Sequence, residues 1–298
     1  MKHKICILSF VLAAFAFTSF QLSAKTLLRL NLQKGVVYEV NTTTTSNMDQ
    51  EMMGQQIKME QVMNMQLVYK IADVLANKNY LIEYSVEKMK MDLSANGQQM
   101  SFDSQAGSNP QSEKLKSMIG QVVKMEVTTT GKIVKVEGLD AFISKVADDK
   151  MLGQIVPMLS SEDGFKSFAD QAFGYIPEDE IEQGSKWSSA ARLVSAMNLD
   201  IKQDFELVSI SGNDASMMVK SSFNGQKQVE QMGMKMDMQI DGNQNGTMVV
   251  DITDGWIRSQ KVNQNIKMVM KMKNPQTGED VNMPIDMTSV IETKVEKK

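Results

Sequence analysis

The chain has 298 residues, with 32 Lys and Arg against 36 Asp and Glu, and a formal net charge of −4. That mild acidity argues against a dominant electrostatic footprint for nucleic acid or an anionic membrane. A single Cys and a single His leave too little for a disulfide framework or a zinc site of the usual nitrogen and sulfur ligands.

The chain opens "MKHKICILSF VLAAFAFTSF QLSAKT". Lys2, His3 and Lys4 precede an uncharged, mostly apolar run from Ile5 to about Phe20, and Ser23 and Ala24 precede Lys25. This is the layout of a secretory signal peptide, with cleavage expected between Ala24 and Lys25. The apolar run is short for a membrane-spanning helix, which needs about 20 residues. No Cys follows the cut, so a lipoprotein is not expected. Cleavage removes His3 and Cys6 together. The remaining chain then has no Cys nucleophile and no Ser–His–Asp triad. The expectation is a non-enzymatic protein without cofactor or metal, exported to the periplasm or the extracellular space. No later apolar run is long enough for a transmembrane segment.

From Lys25 onward the chain reads as one β-rich domain over 25–298. "YEVNTTTTSN" is polar and β-prone, and predicts a strand with two wet faces or one at a sheet edge. Asn41-Thr42-Thr43 also fits a glycosylation sequon, relevant only in a eukaryotic secretory route. "VMNMQLVYKI" places Met63, Met65, Leu67, Tyr69 and Ile71 on one face of a strand, with Val68 as the exception on the other. In "YLIEYSVEKMKMDL", Tyr80, Ile82, Tyr84 and Val86 share a face, but Met89, Met91 and Leu93 have the opposite parity. One extra residue near Glu87–Lys88 restores a single apolar face, which predicts a β-bulge. "VVKMEVTTTGKIVKV" reads as a hairpin turning at Gly131.

The spacing then changes. Leu139, Phe142, Ile143 and Val146 follow the helical period, and Ser161–Gly164 resembles a helix start before Phe165, Phe168 and Ala172. A helical insert is therefore expected over 138–183, punctuated by Pro157 and Pro177. Glu178, Asp179, Glu180 and Glu182 form a local acidic run, read as a solvated connector rather than an acid–base pair. Trp187 and Trp256 read as core or strand-start anchors.

Strands return from Lys186. "LDIKQDFEL" sets Leu199, Ile201, Phe205 and Leu207 opposite Asp200, Lys202, Asp204 and Glu206. "MGMKMDMQI" sets Met232, Met234, Met236 and Met238 on one face, with Lys235, Asp237 and Gln239 on the other. "DGNQNG" at Asp241–Gly246 imitates the first half of a calcium loop, but Ile252 stands where a bidentate Glu is needed. A turn between two strands is the expectation there. Asp254–Gly255 marks a second tight turn. Met268, Met270 and Met272 repeat the methionine spacing. "MEVTTTGKIVKV" and "MVVDITDGWIRS" share a plan, which suggests two related β halves, 25–137 and 184–298, around the helical insert.

With "LNLQKGVVYEV", "TTTGKIVKVEG", "IPEDEIEQGSKW" and "GTMVVDITDGWI", the chain resembles an uncharacterised family of exported proteins best known from Bacteroidetes, the family of unknown function 6263. These motifs are structural, so the resemblance implies no active site.

The methionines carry the functional question. Met63, Met65, Met89, Met91, Met232, Met234, Met236, Met238, Met268, Met270 and Met272 put thioethers on one side of several strands. Three uses compete. The face is a filled core, since Met packs irregular gaps. It is a groove for an apolar small molecule, a lipid or an envelope partner, since Met surfaces re-pack around varied shapes. Or it binds copper(I), which soft thioethers select. The resulting expectation is an α+β, predominantly antiparallel β fold, one or two curved sheets with helices from about 111 to 172 packed on the Met-rich face. The preferred role is non-enzymatic binding of an apolar ligand or envelope partner. The alternatives are a structural or interaction protein with a filled Met core, then copper(I) handling.

Overall fold

The architecture is a computed structural model, which describes residues 25–52, 55–106, 110–140, 165, 172–193, 199–231, 234–273 and 280–298. The period-two alternation runs much further along the chain than in ordinary strands. β1 (Val37–Met52), β2 (Gln55–Val74) and β3 (Tyr80–Ala95) are followed by the short β4 (Gln98–Asp103), helix α1 (Pro110–Met118), β5 (Val123–Val127) and β6 (Ile133–Glu137). The second half comprises β7 (Lys186–Leu193), β8 (Leu199–Ser211), β9 (Asp214–Gln231), β10 (Met234–Asp251), β11 (Ile257–Lys273) and β12 (Asp280–Lys297). An 18-residue strand such as β10 extends about 60 Å at roughly 3.3 Å per residue.

All described strands join one antiparallel sheet in the order β6-β5-β3-β2-β1-β12-β11-β10-β9-β8-β7, with β4 pairing β3 beside this path. The first six strands thus lie on one side and the last six on the other. They meet where β1 pairs β12, from Tyr38 opposite Lys297 to Gln50 opposite Ile285. β1 is therefore a central strand, which overturns the edge placement, one of the two readings of its polarity. Three of its hydroxyls find partners across the ladder. Thr42 meets Thr293 at 3.2 Å, Thr43 donates to Asn64 at 2.8 Å, and Ser46 meets Ser289 at 2.8 Å. Such pairs let β-branched polar residues occupy an interior strand.

The bulge lies where the parity change places it. Gln66 opposes Lys88 but Leu67 opposes Val86, leaving Glu87 as the extra residue. Both apolar runs of β3 consequently face the same side. The hairpin at Gly131 and the turn before Trp256 also form, with Gly131 and Gly255 at φ of 80° and 72°. "DGNQNG" is not a turn: it runs straight through β10. Asp241, Asn243 and Asn245 face outward and are exposed. Gly242 faces inward, where a Cβ would come within 2.2 Å of the Phe223 ring. The glycine admits that ring from β9, so the polar string remains a strand.

The expected helices over the sheet are not seen among the described residues. α1 accounts for the start of the expected range, and Leu139, Asp140, Phe165 and Ala172 have helical backbone. Phe142, Ile143, Val146, Phe168 and most of the expected insert lie outside the described residues.

The core sits at one end of the inner face. Leu28, Leu30 and Leu32 from the segment before β1 pack with Tyr38, Ile71, Ile82, Tyr84, Phe173, Tyr175 and Trp256, all buried. Trp256 stacks on Tyr38 and meets Tyr69 and Phe173 edge-on. Tyr80 donates to the Leu30 carbonyl at 2.8 Å and Tyr175 to the Gly255 carbonyl at 2.7 Å, so both phenols are satisfied. Burial pushes the pKa values of Tyr38, Tyr69, Tyr84 and Tyr175 far up, keeping these hydroxyls neutral. Met217, Met248 and Leu207 bring β8, β9 and β10 into the same cluster.

Candidate functional site

In an antiparallel ladder, residues directly opposite one another point to the same face. The registers therefore assign every strand residue to an inner or an outer face. The outer face carries the charges, among them Lys58, Lys70, Lys261, Lys267, Asp241 and Glu292. The inner face carries the methionine stripes read from the sequence and, from one end to the other, has three zones.

The first zone is the closed core just described. Met65 and Met89, paired in register, pack against it, and Met91 is buried opposite Met63 and Phe102. These four methionines therefore serve the filled core or its margin.

The second zone is a transverse polar row. Reading register to register, Gln61 lies opposite Ser46, then Ser289, Gln264, Gln244, Ser221, Gln203 and Ser189. Eight strands thus each contribute one uncharged polar side chain at the same level. Ser46, Ser221 and Ser289 are buried and the others are half-buried.

The third zone is apolar again. Met59, Met48, Met287 and Ile266 form one cross-strand row, followed by Ile57, Ile285, Met268 and Ile240 on their strands. Beyond these, Met283, Met270 and Met238 are opposite one another, and then Met272 and Met236. Met236 and Met283 are buried, while Met48, Met59, Met238, Met268, Met270, Met272 and Met287 are half-buried. None of these residues belongs to the core cluster or packs against it. Lys227, opposite Met238, is the charge that enters this zone.

The structure thus divides the methionines read from the sequence into two groups on either side of the polar row. Met232 and the side chain of Met234 lie outside the described residues. Four methionines were missed: Met48, Met59, Met283 and Met287. The spacing of Met283, Ile285 and Met287 carried the signal, but Pro284 between them argues against a strand.

A separate cavity of about 720 Å³ lies between the β5–β6 turn and β7, lined by Thr130, Phe173, Ile176, Pro177, Trp187 and Ala190 among others. None of the methionines reaches it. The acidic residues Glu178, Asp179 and Glu180 on its rim are exposed, as a solvated connector should be. Among the described residues no group of three or more His, Cys, Asp or Glu side chains is placed to hold a metal. No helix among them is long and apolar enough to cross a membrane.

A family model described as Family of unknown function (DUF6263) matches residues 77–257. The chain belongs to this family. The matched stretch runs from the turn before β3 to the start of β11, so the DUF6263 region holds Met236, Met238 and Gln244, while β1, β2 and β12 lie outside it. No curated protein matches this DUF6263 chain.

Among solved structures, lipovitellin, titled for its lipid–protein interactions, is similar at 8% identity and a TM-score of 0.49 over 90% of this chain. The DUF6263 chain spans about a quarter, 26%, of that lipovitellin chain. OccK7 (OpdD) of Pseudomonas aeruginosa is similar at 7% identity and a TM-score of 0.25, covering 88% of this chain and 100% of its own. The COG4313 outer membrane channel from Pseudomonas putida F1 is similar at 8% identity and a TM-score of 0.23, covering 90% and 97%.

Proposed function

We propose that this DUF6263 protein is an exported, non-enzymatic binding protein that takes an apolar small molecule or lipid against the third zone of its inner face. The observation that carries this reading is the run of half-buried methionines and isoleucines across β2, β1, β12, β11 and β10, beyond the reach of the closed core. A contiguous apolar surface of this kind marks an interaction site. Met suits it because an unbranched thioether chain adapts to varied occupants without fixing one shape. The signal-like N-terminus supports export, and the lack of His and Cys from Lys25 onward supports a role without covalent or metal chemistry.

Native mass spectrometry of the protein purified from its own host's envelope tests the reading. A bound mass in the lipid range, reduced when Met268 and Met270 are both changed to Asp in a protein that still melts cooperatively, is the expected result. A clean apo mass, with no uptake of an added apolar dye by the native state, overturns it and leaves the face as structure only.

A further inference from the structure

The polar row crosses the inner face beside the apolar third zone. Burying amide and hydroxyl groups is unfavourable unless each finds a partner. Part of the row does: Ser46 meets Ser289 at 2.8 Å, and Ser189 meets Gln203 at 3.3 Å. Its centre does not. The Ser221 hydroxyl is buried with no hydrogen-bond partner, in a residue only 6% exposed. Gln244 and Gln264, opposite one another on β10 and β11, make no side-chain hydrogen bond among the described residues. Unused donors and acceptors therefore converge beside the apolar zone.

Their chemistry is specific. Ser and Gln each offer both donors and acceptors, and none carries charge. No Lys or Arg stands in the row. An ionised carboxylate or phosphate there would be desolvated without a counter-ion, which is strongly unfavourable. A head bearing hydroxyls or an amide would instead exchange its hydrogen bonds with water for equivalent ones. The adjoining surface accommodates a long tail: the stretch of β11 from Gln264 to Met272 extends about 26 Å at roughly 3.3 Å per residue.

Resting on the apolar-ligand reading above, we infer that Gln244, Gln264 and Ser221 form the head-group subsite for a single-chain neutral amphiphile, a hydroxyl- or amide-headed acyl lipid of the monoacylglycerol kind. The tail lies along the third zone, over Met268 and Met270. The "DGNQNG" string has a role in this arrangement. It carries Gln244 between Gly242 and Gly246, whose missing side chains let Phe223 and Val262 close in on either side of the amide.

The test is competition for Nile red bound to the full-length protein. The competitors are 1-monooleoylglycerol, oleate at about pH 8, where its carboxylate is ionised, and 1-octadecene, which has no head. The expected result is that the monoacylglycerol displaces the dye at a concentration at least about tenfold lower than either of the others. In Gln244→Leu/Gln264→Leu that advantage should fall to about unity while Nile red uptake persists. The same substitutions should leave the thermal midpoint unchanged or raised, since they remove amides that have no partner. Oleate binding best, equal binding of all three, or an advantage that survives the double substitution overturns the head-group assignment. These outcomes leave the apolar face intact as a binding surface. Absence of Nile red uptake by the unsubstituted protein overturns the apolar-ligand reading itself, so the two failures are distinguishable.

Discussion

The ring of Tyr38 lies on the indole of Trp256, with centroids 4.3 Å apart and planes 10° from parallel. This stack ties the central strand β1 to the turn between β10 and β11. The Tyr38 hydroxyl donates to Asp254 Oδ2 at 3.0 Å, Lys297 Nζ donates to the same oxygen at 2.7 Å, and the Trp256 backbone amide donates to Oδ1 at 3.0 Å. Trp256→Ala should cost about 3–5 kcal/mol as a large core truncation. Tyr38→Phe should cost about 1–3 kcal/mol, because a buried charged acceptor loses a donor. Urea unfolding checks both, and near-zero losses would mean that this end of the sheet is not a packed core.

The assignment of faces predicts an asymmetry between neighbours in sequence. Met236 is 7% exposed on the inner face, whereas Gln239 points to solvent. Met236→Asp should destabilise by about 3 kcal/mol or more, because it places an unpaired charge in an apolar site. Gln239→Asp should stay within about 0.5 kcal/mol. Similar midpoint shifts for the two in a thermal melt would contradict the register of β10.

A less intuitive expectation concerns β3. Deleting Glu87 removes the residue that has no partner on β2 and restores plain alternation, so Val86, Met89 and Met91 keep their inward orientation. Deleting Lys90 instead throws Met91 and Leu93 to the outer face. The first deletion should give a folded protein with a cooperative melt, and the second should not. Circular dichroism of the two purified proteins decides it, and failure of both to fold counts against the bulge as a dispensable insertion.

Acid should weaken the fold through Asp251. Burial makes its charge less favourable, but hydrogen bonds from Thr253 and the guanidinium of Arg258 outweigh that and hold its pKa below the usual carboxylate range. A depressed folded-state pKa stabilises fully above the unfolded value of about 3.9, and the benefit disappears as pH falls through the folded value. Asp251→Asn should therefore be less stable than the parent near pH 6, with the gap narrowing toward about pH 2. A gap that stays constant across this range in urea titrations would remove Asp251 from the acid response.

Copper(I) should not be retained. The methionines fall into two groups separated by the polar row, and no imidazole or thiolate from Lys25 onward supplements them. Dialysis of the copper-loaded protein against a moderate copper(I) chelator should strip the metal. Stoichiometric retention, lost on changing Met268, Met270 and Met272 to Leu, would restore the metal-handling reading.

Side-chain parity carried most of what the sequence revealed about the fold. It placed Met63 to Ile71 on one face and located the bulge beside Glu87, because a buried face tolerates no slip in a two-residue period. What it missed was long-range. The polar string Asn41–Ser46 resembles an edge or a two-sided wet strand when read alone; only pairing with β2 and β12 brings Thr42, Thr43 and Ser46 to their hydrogen-bond partners. Gly242 and Gly246 look like turn residues until Phe223 on β9 and Val262 on β11 are seen to fill the space that their missing side chains leave. The candidate site followed the same rule. Individual methionine stripes were legible, but the row through Gln61, Ser46, Ser289, Gln264, Gln244 and Ser221 exists only in the register between strands, and no local window contains two adjacent members of it.

The pairing of β1 with β12 also constrains how the molecule comes into being. Thr42 and Thr293, which meet at the middle of the sheet, are 251 residues apart in sequence. The central ladder therefore cannot begin to close while the chain emerges from the ribosome, until those intervening residues have been made. Loop closure of this length slows folding, and the earlier strands wait with an open edge. Until β12 is made, β1 presents an unpaired edge, the kind of exposed strand on which unfinished chains associate.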